Sequence, residues 1–236
     1  MRRKAHPEES GDALKDPWSP AQRELHISRY QYAAKVISEH SKGRNGNMID
    51  IACGHGYGSY LLNNITGMSV HGGDLDENSV EYARENYTNK DVEFHSADIT
   101  DIPFPSQHFD YVVSIETMEH LGLDKAREAA SEFARILKPG GLLVVSSPNK
   151  VLTRVLYKIF GDNPYHRYEF TPFELRGILE KEGFILREKA GQFVTIPLTY
   201  RLANRRLLPL SYFRPSRRIN VCIGMYFLLC MERCWV

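Results

Sequence analysis

Short apolar runs and stretches of helical periodicity take turns along the chain from about residue 47 to 190. NMIDIA (47–52), MSVHGGD (68–74), VEFHSAD (92–98), FDYVVSIE (109–116), LLVVSSP (142–148) and FILREKA (184–190) read as six strands. VCIGMYFLLCM (221–231) reads as a seventh. A helix runs through Leu61 and Leu62, and another, capped by Asp76, turns Val80, Ala83 and Tyr87 to one face. A third carries Ala126, Ala130, Phe133 and Leu137 and stops at Lys138-Pro139-Gly140-Gly141. Thr171-Pro172-Phe173-Glu174 is a capping box, opening a helix with Leu175, Ile178 and Leu179 inward and Gly183 just past its end. Ahead of all these, Ser19-Pro20 starts a helix with Tyr30, Ala33, Ala34 and Ile37 at helical spacing, ended by SKGRNGN (41–47). Alternating strands and helices predict an α/β fold, a doubly wound, mostly parallel seven-stranded sheet.

Residues 1–18 are polar and read as a loose tail. Residues 19–236 form one domain, with an N-terminal helix in 19–46, an active-site insertion at 149–170 and an arginine-rich insertion at 192–220. The 236 residues are 42% hydrophobic and 25% charged with net charge +1, so no global field draws the chain to nucleic acid. Cys53, Cys222, Cys230 and Cys234 show no disulfide framework. The basic start lacks an apolar core behind it, and the apolar run at 221–231 is too short to span a bilayer. These features predict a reduced, cytoplasmic protein.

The first strand runs straight into Gly54, Gly56 and Gly58. Glycine lets the backbone turn sharply and lets a ligand approach closely. Asp74 closes the second strand, where a carboxylate can accept ribose hydroxyls, and Asp98 closes the third, where it could face an adenine amino group. Nicotinamide and adenosyl-sulfonium cofactors both use such a ribose acid, and the loop separates them. A dinucleotide loop wants G-x-G-x-x-G before a pyrophosphate. Here the spacing is G-x-G-x-G, and Asp50 precedes the loop; its carboxylate would repel a pyrophosphate and favour an ammonium.

MIDIACGHGYG, GGDLDENSVEYARENY, EFHSADITDIPFPSQHFDYVVSIETMEHL, ILKPGGLLVVSSPN and HRYEFTPFELRGILEKEGF, in that order, resemble the class I S-adenosylmethionine-dependent methyltransferases, closest to the type 11 group that includes ubiquinone- and menaquinone-biosynthesis enzymes. The resemblance covers roughly residues 47–187 and implies a Rossmann-like sheet with an antiparallel last strand. It implies S-adenosyl-L-methionine as cofactor. Asp50 and the backbone of Ala52, Cys53, Gly54, Gly56 and Gly58 would hold its methionine part, Asp74 its ribose, and Leu75, Asp98 and Ile99 its adenine, with Ser114–Glu116 passing near the sulfonium. His26, Arg29, Tyr30, Ala33 and Ala34 resemble a variant of the family in which the preceding helix folds over the cofactor as a lid, so Tyr30 is a further candidate contact.

Methyl transfer is an in-line displacement that needs placement, exclusion of water and, for a hydroxyl nucleophile, a base. His120, just after the fourth strand, and His166, in the insertion after the fifth, are candidate bases. Glu119 could orient His120 or join it at a metal, but no third ligand stands out, so no metal is assigned. Arg201, Arg205, Arg206, Arg214, Arg217 and Arg218 lie among apolar residues in a stretch without acids. They suit an anionic acceptor, bidentately held, or a peripheral contact with anionic membrane; without an aromatic platform nucleic acid is disfavoured. SPNK…NPYHRYEFTPFEL is similar to methyltransferases of bacterial polysaccharide pathways, which implies O-methylation of a sugar or glycan intermediate, with other small molecules open. A nicotinamide-dependent oxidoreductase and a non-catalytic cofactor-binding partner protein are the competing classes.

Overall fold

The computed structural model describes residues 11–16, 19–154, 164–192, 214–215 and 226–234. In chain order the elements are α1 (Pro20–Ser41), β1 (Asn47–Ile51), α2 (Tyr57–Thr66), β2 (Ser69–Asp74), α3 (Glu77–Tyr87), β3 (Val92–Ser96), β4 (Phe109–Ile115), α4 (Met118–Leu121), α5 (Leu123–Ile136), β5 (Leu137–Pro148), α6 (Pro172–Lys181), β6 (Phe184–Gln192) and β7 (Tyr226–Arg233). The strands form one sheet in the order β3-β2-β1-β4-β5-β7-β6. β1 to β5 pair in parallel, and β7 runs antiparallel to both its neighbours. The expected seven-stranded α/β sheet is therefore present, with its antiparallel strand between β5 and β6.

Residue parity sorts the core onto two faces. Met48, Val113, Val144, Leu228 and Cys230 point to the side covered by α1, α2 and α3. Ile49, Val112, Val145, Phe227 and Leu229 point to the other, where Ala126, Ala130 and Phe133 of α5 and Leu175 and Leu179 of α6 pack. Both faces are apolar because both are covered, as parallel sheets require.

The helix ends are set by local chemistry. Ser19 and Gln22 close a capping box at α1, Asp76 caps α3, and Thr171 and Glu174 close the predicted box at α6. The start of β5 differs from expectation. β5 begins at Leu137, directly after α5, rather than at Leu142: Leu137 pairs with Phe109, Gly140 turns at φ 77°, and the ladder resumes at Tyr111 and Leu142. Gly141 sits so close to the β4 backbone that a Cβ would lie 2.8 Å from the Asp110 carbonyl.

Part of the segment read as a loose tail is docked. Asp12 is fully buried and accepts hydrogen bonds from the hydroxyls of Tyr82 and Tyr87 on α3, at 3.0 and 2.6 Å. The arginine-rich insertion lies outside the described residues apart from Gln192, Arg214 and Pro215; Arg214 pairs with Glu24 on α1. Within 149–170 the described residues 150–154 are helical, and Asn149 bridges to Phe170. Among the described residues no helix is long and apolar enough to cross a membrane.

Candidate active site

The carboxyl ends of β1 to β5 open on one edge of the sheet, where ligands of doubly wound folds sit. β1 delivers Ala52 there in the left-handed region, at φ 63°. That conformation is costly for a residue with a Cβ. It is held because the amides of Ala52 and Cys53 both donate to the Gly73 carbonyl of β2, at 2.7 and 3.0 Å. Gly54 follows at φ 53°, and a Cβ there would meet nothing within 4 Å.

The other two glycines face protein. A Cβ on Gly56 would lie 2.6 Å from Ala83 and 2.7 Å from the Phe94 ring, and one on Gly58 would lie 2.1 Å from the Tyr30 ring. Close packing thus explains why these positions are glycine, alongside the cofactor reason the sequence suggested, and only Gly54 borders open space. Tyr30 is buried on α1 and meets Tyr57 edge-on at 5.6 Å between centroids. Through it, α1 lies against the glycine loop.

Asp50 is fully buried in β1. Its Oδ2 accepts from the Ser59 hydroxyl at 2.8 Å, while its Oδ1 has no hydrogen-bond partner among the described residues. Burial pushes the carboxyl up to about 7, against the Ser59 hydrogen bond. A buried polar atom left unpaired costs about 1–3 kcal/mol, so a cationic donor would suit this position. Asp74, at the end of β2, accepts from the Gly54 amide (2.7 Å) through Oδ2 and from the Asp76 amide (2.9 Å) through Oδ1. Both carboxylate oxygens are thereby aimed; burial raises its pKa while these amides act against the rise. Leu75 beside it is 68% exposed, an apolar side chain left open to solvent. Asp98 lies past β3 and accepts from the Thr100 amide and hydroxyl, and the amide holds its carboxyl below the usual range. Ile99 is buried behind it, and the Cys53 thiol is buried at the loop, its pKa pushed up by that burial.

β4 ends at a second strained residue, Glu116, at φ 54°. Its carboxylate accepts from the Ser146 hydroxyl at 2.6 Å and lies 3.6 Å from the Arg29 guanidinium. Arg29 is itself buried, donates to Gln192 at 2.8 Å and stacks 4.0 Å over the Tyr226 ring. One guanidinium thus joins α1 to the ends of β4, β6 and β7. The next serine of β5, Ser147, donates at 3.0 Å to Glu119, whose side chain is buried. Burial holds the Glu119 carboxyl well above its usual range, and Glu116 adds to the rise.

The two predicted histidines come together beside Glu119. His120 and His166 have ring centroids 5.1 Å apart. The Glu119 carbonyl accepts from the amides of Arg167 and Tyr168, which seats the 164–170 segment on α4. His166 Nδ1 lies 2.7 Å from a Glu169 carboxylate oxygen. The sequence reading missed Glu169, Ser147 and the bridging role of Arg29. Glu169 carried a signal, since it stands three residues after His166.

Residues 49–145 match the family model for a methyltransferase domain. A probable S-adenosylmethionine-dependent methyltransferase of Mycolicibacterium smegmatis is 31% identical over 176 residues, 73% of this chain and 64% of the relative. Over residues 49–145 the chain is thus similar to a methyltransferase domain, and the relative that shares this region is a probable S-adenosylmethionine-dependent enzyme. A fatty-acid O-methyltransferase of the same organism is 34% identical over 95 residues, 40% of this chain and 34% of the relative. The chain therefore spans less than two thirds of these curated relatives. In fold, the chain is similar to magnesium protoporphyrin IX methyltransferase of Synechocystis PCC 6803 with bound SAH, with TM-score 0.67 over 95% of this chain and 91% of that one, at 20% identity. The site fits the family's cofactor: the unpaired Asp50 oxygen suits an ammonium, and the fixed Asp74 carboxylate suits a ribose diol.

Proposed function

We propose that the protein transfers a methyl group from S-adenosylmethionine to an oxygen of a small or glycan-linked acceptor. The observation that carries the reading is the pairing of two unlike half-sites at one sheet edge. Asp50, with a buried oxygen awaiting a donor, lies on the cofactor side. His120 and His166, 5.1 Å apart, lie on the other. S-adenosylmethionine supplies a methyl on a sulfonium that leaves as a neutral thioether. The chain's own residues do the rest. Asp50 takes the ammonium, Asp74 accepts from the ribose, and Leu75 and Ile99 flank the adenine while Asp98 meets its edge. Tyr30 and α1 keep water from the glycine loop. The His120–His166 cluster receives the acceptor hydroxyl and its proton. An oxygen acceptor is supported by the imidazoles and by the O-methyltransferases among the relatives; a sugar acceptor is supported by the sequence similarity to polysaccharide-pathway enzymes. The arginine-rich segment supports an anionic acceptor.

The test is calorimetric titration with S-adenosylhomocysteine and with NAD, followed by isotope-labelled methyl transfer to a panel of glycans, phosphosugars, fatty acids and phenols. Binding of the first ligand alone and label on oxygen are expected. NAD binding, or cofactor binding without transfer to any acceptor, sinks the reading in favour of an oxidoreductase or a non-catalytic partner protein respectively.

A further inference from the structure

We infer that Glu119, His120 and His166 form a binding site for a divalent first-row transition cation. The three residues each place one ligand atom within 4.8 Å of the others. What makes the cluster a site rather than an accident is the direction of its hydrogen bonds. His120 Nδ1 lies 3.2 Å from the Tyr165 carbonyl, an acceptor, so Nδ1 carries the proton and Nε2 the lone pair. His166 Nδ1 lies 2.7 Å from the Glu169 carboxylate, with the same result. Glu169 is in turn fixed by the Thr153 hydroxyl. Metal-binding imidazoles are oriented in this way, one nitrogen tied to a carbonyl or carboxylate and the other turned to the ion.

The third member completes the pattern. Glu119 is buried, one oxygen held by Ser147 and the other, Oε1, with no hydrogen-bond partner among the described residues. Oε1 lies 3.8 Å from His120 Nε2, too far for a hydrogen bond and a few tenths of an ångström more than the roughly 3.4 Å between two ligands on one tetrahedral ion. The two Nε2 atoms so oriented and the buried Glu119 Oε1 make a nitrogen–nitrogen–oxygen donor set of the kind that holds a cation. Two nitrogens and one oxygen suit zinc, cobalt, manganese or iron(II) and leave coordination positions open. Main-chain pairing of Glu119 with residues 167 and 168 brings His166 in from 46 positions along the chain (120 to 166), which hid the third ligand from sequence.

The role of the ion rests on the methyl-transfer reading above. With an ion bound, His120 and His166 are ligands and no longer the base: an acceptor hydroxyl on an open position would lose its proton to solvent. The oxygen then forms the new C–O bond while the C–S electron pair leaves with sulfur. Coordination supplies the lowered hydroxyl pKa that this requires.

The whole chain, stripped with a chelator and dialysed, is titrated with Co2+ while its visible absorption and heat are read. One equivalent is expected, with a ligand-field band, and at least a tenfold weaker Kd in Glu119→Gln and in His166→Ala. His95→Ala serves as the control, because His71, Glu93 and His95 form another described cluster of ligand type, at the β2–β3 edge. Absence of binding overturns the proposal, as does binding that survives His166→Ala or is lost in His95→Ala. Glu119→Gln is interpreted only where its circular dichroism matches wild type; half-buried His166 carries the test otherwise. If Co2+ binds as expected but no acceptor is methylated, the site stands and the methyl-transfer reading falls.

Discussion

The Tyr30 ring lies where a Cβ on Gly58 would have to go, 2.1 Å from the nearest ring carbon. Helix α1 and the glycine loop therefore fit only while residue 58 has no side chain. Gly58→Ala is expected to destabilise the fold by roughly 1–3 kcal/mol, the usual cost of overpacking, and to weaken S-adenosylhomocysteine binding. In the double variant with Tyr30→Ala, the Gly58→Ala cost should largely vanish. Urea titration of the four proteins in a cycle measures this coupling, and additive effects would mean that α1 does not rest on the loop.

Asp50 gives a pH signature. Its folded pKa, about 7, lies above the ordinary carboxylate value near 3.9, so the folded state holds the proton more tightly than the unfolded state. The destabilisation is absent below about pH 4, grows between pH 4 and 7, and is complete above pH 7, at roughly 4 kcal/mol for a shift of about three units. Asp50→Asn removes the titration. Its unfolding free energy relative to wild type should rise from pH 5 to pH 8, while its S-adenosylhomocysteine affinity falls. A pH-independent difference would refute the assignment of that burial cost.

Leu75 separates binding from stability. At 68% exposure it contributes little to the core. Leu75→Ser should leave the melting temperature within about a degree, since surface changes stay within about 0.5 kcal/mol. If the side chain packs on adenine, it should also weaken S-adenosylhomocysteine roughly tenfold, from about 1.5 kcal/mol of lost apolar contact. Unchanged affinity in isothermal titration would remove Leu75 from the cofactor site.

Arg29 makes the opposite case. Arg29→Met keeps length and apolar stem but leaves Glu116 and Gln192 without their buried cationic partner. Breaking such a pair from one side typically costs about 3–5 kcal/mol. Thermal denaturation should show a drop of several degrees or more, and Glu116→Gln in the same background should restore part of it. No recovery would place the loss in packing against Tyr226 instead.

The sheet was legible in the sequence because its strands are buried on both faces and its helices are capped by residues that act locally, such as Ser19, Asp76 and Thr171. Gly54 and Asp74 were legible because a strand-end position is a sequence property. The Glu119–His120–His166 cluster was not, because it is made by main-chain pairing between α4 and a segment nearly fifty residues later. Nor did the sequence distinguish Gly54, beside open space, from Gly56 and Gly58, which are crowded by Phe94 and Tyr30: that distinction depends on which helix lies overhead. The start of β5 was misjudged because Pro139-Gly140-Gly141 looks like a terminator, whereas the structure uses Gly140 to bend a strand already begun at Leu137.

β7 lies between β5 and β6, antiparallel to both. β5 and β6 are joined through residues 226–233, and until that strand is in place the inner edge of each is an open template for other chains. The parallel half of the sheet can assemble as it is made, but closure waits for a strand that follows β6 by 34 positions (192 to 226). Such non-local pairing is slow and exposes unpaired edges meanwhile. A ribosome that stalled before residue 226 would release a nascent chain with a nearly complete cofactor cleft and a strong tendency to aggregate.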